Sequence, residues 1–172
     1  MSDFSEWPTP AKGLLILFGE AIAIHLPWLR ESPELYGPNV RARLEASALI
    51  PAADYLDAVR ARPKVVRRIL RSLSSVDMVV SPTVPVAAPA IDATAPAGDG
   101  AVDPRAVLLR NTRLADVTGQ PTASVPCGFT SAGLPVGMQI SGMPWQDNLV
   151  LRVAHAYQQV SDWHRRRPVI SG

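Results

Sequence analysis

The 172-residue chain has one cysteine, two lysines and no pair of adjacent glycines. The lone Cys127 excludes an intramolecular disulfide and a cysteine-based zinc site, and it fits a reducing compartment. The absence of Gly-Gly excludes the glycine-rich motifs that bind phosphate groups. We therefore predict no metal, no cofactor and a cytoplasmic location.

An excess of charge of one sign is also lacking. The 17 basic and 15 acidic residues give a formal net charge of +2, which is too balanced to indicate a polyanionic partner. Arginines between Arg60 and Arg71 could form a nucleic-acid patch, but Asp54 and Asp57 lie on the same stretch. A solvated helix face is the favoured interpretation, and no nucleic-acid partner is expected.

No long uninterrupted apolar run is present. The run from Leu14 to Ile24 contains Glu20, and it is too short and too polar for a membrane span. Asp3 and Glu6 precede the run, which argues against a secretory signal. We therefore expect no membrane partner.

Helical spacing of apolar residues dominates the first half of the chain. A helix begins near Leu14 and is predicted to stop at Pro27. A short second helix is indicated by Val40, Leu44 and Ala48. The clearest amphipathic pattern predicts a long helix from Ala52 to Leu73, which Pro63 should kink or split in two.

The second half alternates short strands with helices. Val76–Val80 is predicted as a buried strand that ends at Ser81-Pro82, and residues 82–103 as a long loop. Asp103-Pro104 resembles a helix start, with the helix running to about Leu114. Thr122–Pro126 and Val136–Ser141 are predicted to form a hairpin.

A final helix, capped by Asp147 or Asn148, should follow the hairpin. Its apolar stripe consists of Val150, Val153, Ala154, Tyr157 and Val160. These elements predict an α/β fold, a single domain over residues 1–172 with a mixed β-sheet flanked by helices. Residues 1–11 are expected to be disordered.

The sequence offers no catalytic set. No serine has the glycine frame of a nucleophile, and the only Ser-Ser pair, Ser74-Ser75, lies at a predicted helix end. Cys127 could be a nucleophile beside His155 or His164, but a buried inert thiol is the favoured interpretation. We therefore predict no catalytic residue in this chain.

Several motifs nevertheless point to a family when they are read in order. The chain resembles the C-terminal part of the amidase signature enzymes, which are Ser-Ser-Lys amide hydrolases. The resemblance covers roughly residues 12–168. Four blocks carry it: Tyr36–Leu44 with the Asp54-Tyr55-Leu56 helix, Val76–Pro85, Asp116–Phe129, and Gly133–Ile140.

The resemblance implies a mixed sheet between helices and amide chemistry through an acyl-serine. The family's catalytic lysine and serines lie in an N-terminal half that this sequence does not contain, and Lys12 and Lys64 do not match that lysine. By resemblance Thr112, Asp116 and Thr83 border the acyl pocket. The ligand would be an amide or a carboxylic acid, once the other half completes the pocket.

Three hypotheses follow from these observations. In the first, the chain is the pocket-side fragment of an amidase, inactive alone, which acts with a complementary chain or as a homo-oligomer. In the second, it is a stand-alone binding or interaction module that keeps part of the amidase fold. The third, a basic nucleic-acid binder, ranks last.

Overall fold

The computed structural model describes residues 10–90 and 107–168, with the side chains of the first helix described from Gly13 onward. The chain divides into two compact units, Met1–Ser72 and Leu73–Gly172, and each is described by itself. The single domain over 1–172 stays a prediction. Residues 1–9 of the predicted disordered end, and residues 91–103 of the predicted loop, lie outside the described residues.

The first unit consists of helices. These are α1 (Pro10–Glu31), a 3-10 helix (Pro33–Leu35), α2 (Pro38–Ser47) and α3 (Ala52–Ser72). Helix α1 packs against both α2 and α3, and its Ile22 and Leu29 form a core cluster with Leu44 of α2. Gly19 allows the close approach of α3, because a Cβ there would lie 2.7 Å from Cδ2 of Tyr55.

One proline prediction in this unit was wrong, and another is narrowed. Helix α1 does not stop at Pro27 but continues to Glu31. Helix α3 is one helix through Pro63, so it is not split in two, and a kink at Pro63 stays a prediction. A proline inside a helix removes one backbone hydrogen bond, at a cost of about 3 kcal/mol. Ile22 and Leu29 are buried on either side of Pro27, and their packing offsets that cost.

The exposed side of α1 is also apolar. Leu17, Ile24 and Trp28 share a helical face and are 56%, 63% and 56% exposed. The segment Gly13–Glu31 is long and apolar enough to cross a membrane by length and composition alone, whereas the shorter run 14–24 was expected to fall short. In this unit α1 is covered along one face by α2 and α3.

The second unit carries the sheet. Its elements are β1 (Met78–Pro82), α4 (Arg113–Thr118), β2 (Thr122–Phe129), β3 (Pro135–Gly142), α5 (Asp147–Gln159) and a 3-10 helix (Trp163–Arg165). The strand order is β1-β3-β2, and both described strand pairs are antiparallel. The predicted α/β class is confirmed, as is the β2–β3 hairpin. The sheet was predicted to be mixed, but among the described residues it is antiparallel throughout.

One face of the sheet forms the core of this unit. Val125 of β2 and Ile140 of β3 pack against Ala154 of α5, and Ile140 is only 1% exposed. The predicted apolar stripe of the final helix is confirmed for the residues that pack against this face of the sheet. Val160 was wrongly included, because it follows the end of α5 and is 84% exposed.

Two further predictions in this unit were wrong. Strand β1 begins two residues later than predicted, so Val76 precedes it and is 47% exposed. The strand itself is not buried, since Val80 within it is 57% exposed. The strand also retains Pro82, which a strand at the edge of a sheet tolerates. The helix expected to run to Leu114 is interrupted by a turn at 109–112, and α4 continues to Thr118.

Candidate functional site

The sheet has one apolar face and one polar face. Successive side chains of a strand point to opposite faces, so Gln139 and Ser141 lie opposite the buried Ile140. The strand register places Thr122 across from Ser141, and Ser81 and Ser124 across from Gln139. We define the polar face as Ser81, Thr83, Thr122, Ser124, Gln139 and Ser141. None of these six side chains is ionisable at neutral pH.

A pair of hydroxyl groups lies at one end of the polar face. Oγ1 of Thr83 and Oγ of Ser124 are 2.6 Å apart. Gly137 lies directly beneath them, where a Cβ would be 2.9 Å from Thr83 Oγ1 and 3.0 Å from Ser124 Oγ. The backbone N–H of Thr83 donates to the carbonyl oxygen of Gly137 at 2.8 Å, which extends the β1–β3 pairing by one residue. Thr83 is thus held by both its backbone and its side chain.

Ser141 at the opposite end of the polar face and Gln139 in its middle are buried. Ser141 is 7% exposed, and its Oγ lies 3.0 Å from Thr122 Oγ1. Gln139 is 5% exposed and donates from Nε2 to the carbonyl oxygen of Asn111 at 3.3 Å. Burial of polar groups is tolerated when they find partners. These bonds therefore fix the segment around Asn111 over β3.

The loop between α4 and β2 is held in the same way. Gln120 is 7% exposed, and its Nε2 donates to the carbonyl oxygen of Gly142 at 2.8 Å. Its Oε1 accepts from Thr118 Oγ1 at 3.0 Å. Gly119 ends α4 with φ of 72°, a left-handed conformation that glycine adopts without a Cβ penalty. The Thr-Gly-Gln-Pro loop is therefore a rigid connection.

The three residues predicted to border a pocket lie in this unit. Thr112 is half-buried and donates from Oγ1 to the carbonyl oxygen of Leu109 at 3.2 Å, while Asp116 is exposed in the first turn of α4. Nδ2 of Asn111 donates to the carbonyl oxygen of Pro82 at 2.7 Å. This bond joins the residue before Thr112 to the residue before Thr83. Contacts of all three with a substrate stay a prediction.

Sequence reasoning missed four residues that build this site. Asn111, Ser124, Gly137 and Gln139 were not singled out, although they supply the hydroxyl pair and its supports. A signal for two of them was present. Polar residues alternate with apolar ones in both strands of the hairpin, which is the pattern of a sheet with one polar face.

In the part of the chain that the structure describes, no hydrogen bond joins Cys127 to a histidine, and Nδ1 of His164 is buried without a partner. Cys127 is half-buried rather than buried, and its Sγ donates to the carbonyl oxygen of Val136 at 3.5 Å. His155 is exposed, and His25 lies 3.1 Å from the Tyr36 hydroxyl in the first unit. In the described ranges 10–90 and 107–168, no three His, Cys, Asp or Glu residues are grouped so that they could hold a metal ion.

Proteins of known structure share the fold described above. A crystal structure of an amidase superposes with a TM-score of 0.78 over 87% of this chain and 35% of its own, at 28% sequence identity. The described fold is thus an amidase-type α/β fold. The Amidase family model matches residues 26–151, well over half of the sequence. The chain belongs to the amidase family, as a partial amidase signature protein.

Curated relatives agree with this assignment. An amidase of Pseudomonas putida is 38% identical over 159 residues, which are 91% of this chain and 34% of that protein. A glutamyl-tRNA(Gln) amidotransferase subunit of Synechococcus sp. (strain JA-3-3Ab) is 37% identical over 166 residues, 92% of this chain and 29% of that protein. The chain spans about a third of the length of the relatives it matches.

Proposed function

We propose that this chain is the C-terminal, pocket-side part of an amide hydrolase that acts on the C–N bonds of linear amides. The observation that carries the proposal is the uncharged polar face of the sheet, together with the family match. Hydroxyl and amide groups both donate and accept hydrogen bonds, which suits a neutral amide. Thr83 and Thr112 lie at the ends of the two segments that Asn111 joins.

The chain is proposed to be inactive by itself. A serine or threonine nucleophile needs an adjacent base to take its proton. The partner of Ser124 Oγ is the neutral hydroxyl of Thr83, which is not such a base. The Ser-Ser-Lys set that the family resemblance implies has no counterpart in this sequence, so we propose that a complementary part carrying this set supplies the chemistry.

Exposed apolar surface supports a complementary partner. In the second unit, Val80 in the edge strand β1 and Val76 just before it are each more than 45% exposed. In the first unit, the same holds for Leu17, Ile24 and Trp28 on α1. Apolar surface of this kind marks interaction sites when it is contiguous. One relative is, by its name, a subunit of a larger enzyme. The proposed partner is a chain with the catalytic half, and the proposed location is the cytoplasm, without a nucleic-acid or membrane partner.

A second candidate function has a specific observation in its favour. The polar face is hydrogen-bonded within Leu73–Gly172, so the site does not depend on another chain for its shape. A stand-alone binding module would use this face for a small amide or acid without turnover. It would be a monodisperse monomer that unfolds cooperatively.

Hydrolysis assays on the purified chain distinguish both proposed functions from the activity of a complete enzyme. We expect no release of ammonia or amine from simple amides above the buffer rate. The variants Ser124→Ala and Ser74→Ala should not differ from the parent chain. Hydrolysis that either substitution abolishes would show that this chain carries its own nucleophile, and the proposal would be wrong.

A further inference from the structure

We propose that Thr83, Ser124 and Gly137 form a clamp that positions residues 83–86 as a wall of the acyl pocket. We call these three residues the hydroxyl clamp. Its role at the acyl pocket rests on the function proposed above. Its residues are assigned as positioning residues. They are not assigned a part in bond making or breaking.

Two contacts restrain Thr83 itself, and a third restrains the residue before it. Its side-chain oxygen is bonded to Ser124 at 2.6 Å, and its N–H is bonded to Gly137 at 2.8 Å. The residue before it, Pro82, accepts the bond from Asn111 at 2.7 Å. β1 ends at Pro82, so these contacts decide where the chain goes after the strand.

Gly137 is what makes the clamp possible. A Cβ at this position would lie 2.9 Å from Thr83 Oγ1, 3.0 Å from Ser124 Oγ and 3.3 Å from Thr83 Cβ. Contacts this short force a neighbour to move. The neighbours are short side chains bonded to each other, so an added methyl group would push Thr83 away from Ser124. The glycine is therefore matched to the hydroxyl pair above it.

The clamp predicts an effect on substrate binding rather than on chemistry. Residues 83–86 follow the clamp directly and have no regular secondary structure, so their position depends on Thr83. A displaced wall weakens contacts made equally in the ground state and the transition state, which raises KM and leaves kcat nearly unchanged. The uncharged pair also gives no reason for a new pH dependence.

Hydrogen exchange of the chain alone tests the clamp directly. Thr83→Val keeps the shape but removes the hydroxyl, and Gly137→Ala adds the interfering methyl group. Both should speed exchange of the Thr83 amide about tenfold or more, while the most protected amides of β3 keep their rates. Thr83→Ser should restore protection. Unchanged exchange at Thr83 in both variants would overturn the clamp.

A matched threonine provides the control. Oγ1 of Thr130 accepts a bond from the Leu134 N–H at 3.1 Å in the β2–β3 turn. Thr130→Val removes a comparable bond far along the hairpin and should leave the Thr83 amide unaffected. If Thr130→Val sped exchange of the Thr83 amide equally, the whole sheet would be loosened by either substitution. That outcome would contradict a local clamp.

Kinetics with a catalytic half tests the role of the clamp in the pocket. In a mixture of this chain with the unmatched two thirds of the Pseudomonas putida amidase, Thr83→Val should raise KM for a small amide about tenfold with kcat within twofold. Thr83→Ser should restore KM. Faster exchange without any change in KM would overturn the assignment to the pocket wall. If the relative's own two parts recombine to an active enzyme, a wild-type mixture without activity would refute the proposed function, and exchange at Thr83 would still decide whether the clamp exists.

Discussion

Asn111 donates a hydrogen bond of 2.7 Å from Nδ2 to the carbonyl oxygen of Pro82, across 29 residues of sequence. The carbonyl oxygen of Asn111 accepts from Nε2 of Gln139 at 3.3 Å. One asparagine thus ties the end of β1 to the segment before α4 and to the middle of the sheet. The two residues joined by the Asn111 side chain directly precede Thr112 and Thr83.

Loss of the Asn111 side chain should loosen the end of β1. Asn111→Ala removes the donor to Pro82 and keeps the backbone acceptor for Gln139. We expect a fall of about 0.5–1 kcal/mol in the free energy of unfolding, since the bond is exposed. Urea unfolding followed by circular dichroism measures it. The exposed Asn148 is the control. Equal losses of unfolding free energy from Asn111→Ala and Asn148→Ala would show that the hydrogen bond from Asn111 to Pro82 does not stabilise the unit.

The two glycines Gly119 and Gly37 should respond in opposite ways to alanine. Gly119 has φ of 72°, where a Cβ costs about 1–2 kcal/mol, so Gly119→Ala should destabilise the second unit. Gly37 has φ of −58° and open space around it, so Gly37→Ala should be neutral or slightly stabilising. Thermal unfolding of the two variants compares them. A stable Gly119→Ala protein would show that the loop before β2 does not need the left-handed conformation.

Ile140 should be the most sensitive core position of the sheet. Ile140 is 1% exposed and packs against Val125 and Ala154. Ile140→Val removes one methyl group and should lower the free energy of unfolding by about 0.5–1.5 kcal/mol. Val160→Ala, at a position 84% exposed, should stay within about 0.5 kcal/mol of the parent. Chemical unfolding gives both values. Similar losses for the two variants would mean that α5 does not cover Ile140 in solution.

Gly19 and Tyr55 should be coupled in the first unit. Alanine normally favours a helix over glycine by about 1 kcal/mol, but here a Cβ would lie 2.7 Å from the Tyr55 ring. We therefore expect Gly19→Ala to destabilise the parent chain and to stabilise a chain that already carries Tyr55→Ala. A double-mutant cycle by urea unfolding measures the coupling. Additive effects would contradict the packing of α1 on α3 at this point.

The sequence predicted the elements whose pattern is local. The amphipathic pattern between Ala52 and Leu73 was enough to predict α3, and the two short stretches Thr122–Pro126 and Val136–Ser141 were enough to predict the hairpin, since both patterns depend on neighbours in sequence. The stop at Pro27 was predicted wrongly because the packing of Ile22 and Leu29 on α2 is tertiary. The burial of Val80 depends on what lies beside the edge of the sheet, which a local pattern does not contain.

The site was less predictable than the fold. Thr83, Thr112 and Asp116 came from the family resemblance, not from the residues themselves. The bond between Thr83 and Ser124 joins positions 41 residues apart, and the one from Asn111 spans 29. Strand pairing brings Thr83 close to Ser124, whereas Asn111 lies in the turn 109–112 and reaches Pro82 with its side chain. The two-residue alternation of Thr122, Ser124, Gln139 and Ser141 could have shown the polar face, but not which hydroxyls meet on it.

Recombination with a catalytic half tests the central claim most directly. The part of the Pseudomonas putida amidase that lies outside the match would be mixed with this chain, and amide hydrolysis measured for each alone and together. The relative's own two parts, recombined, provide the positive control. We predict activity only in the mixture, rising to saturation with the concentration of this chain and abolished by replacing the nucleophilic serine of the catalytic half. A working positive control, with no gain from this chain, would contradict the account.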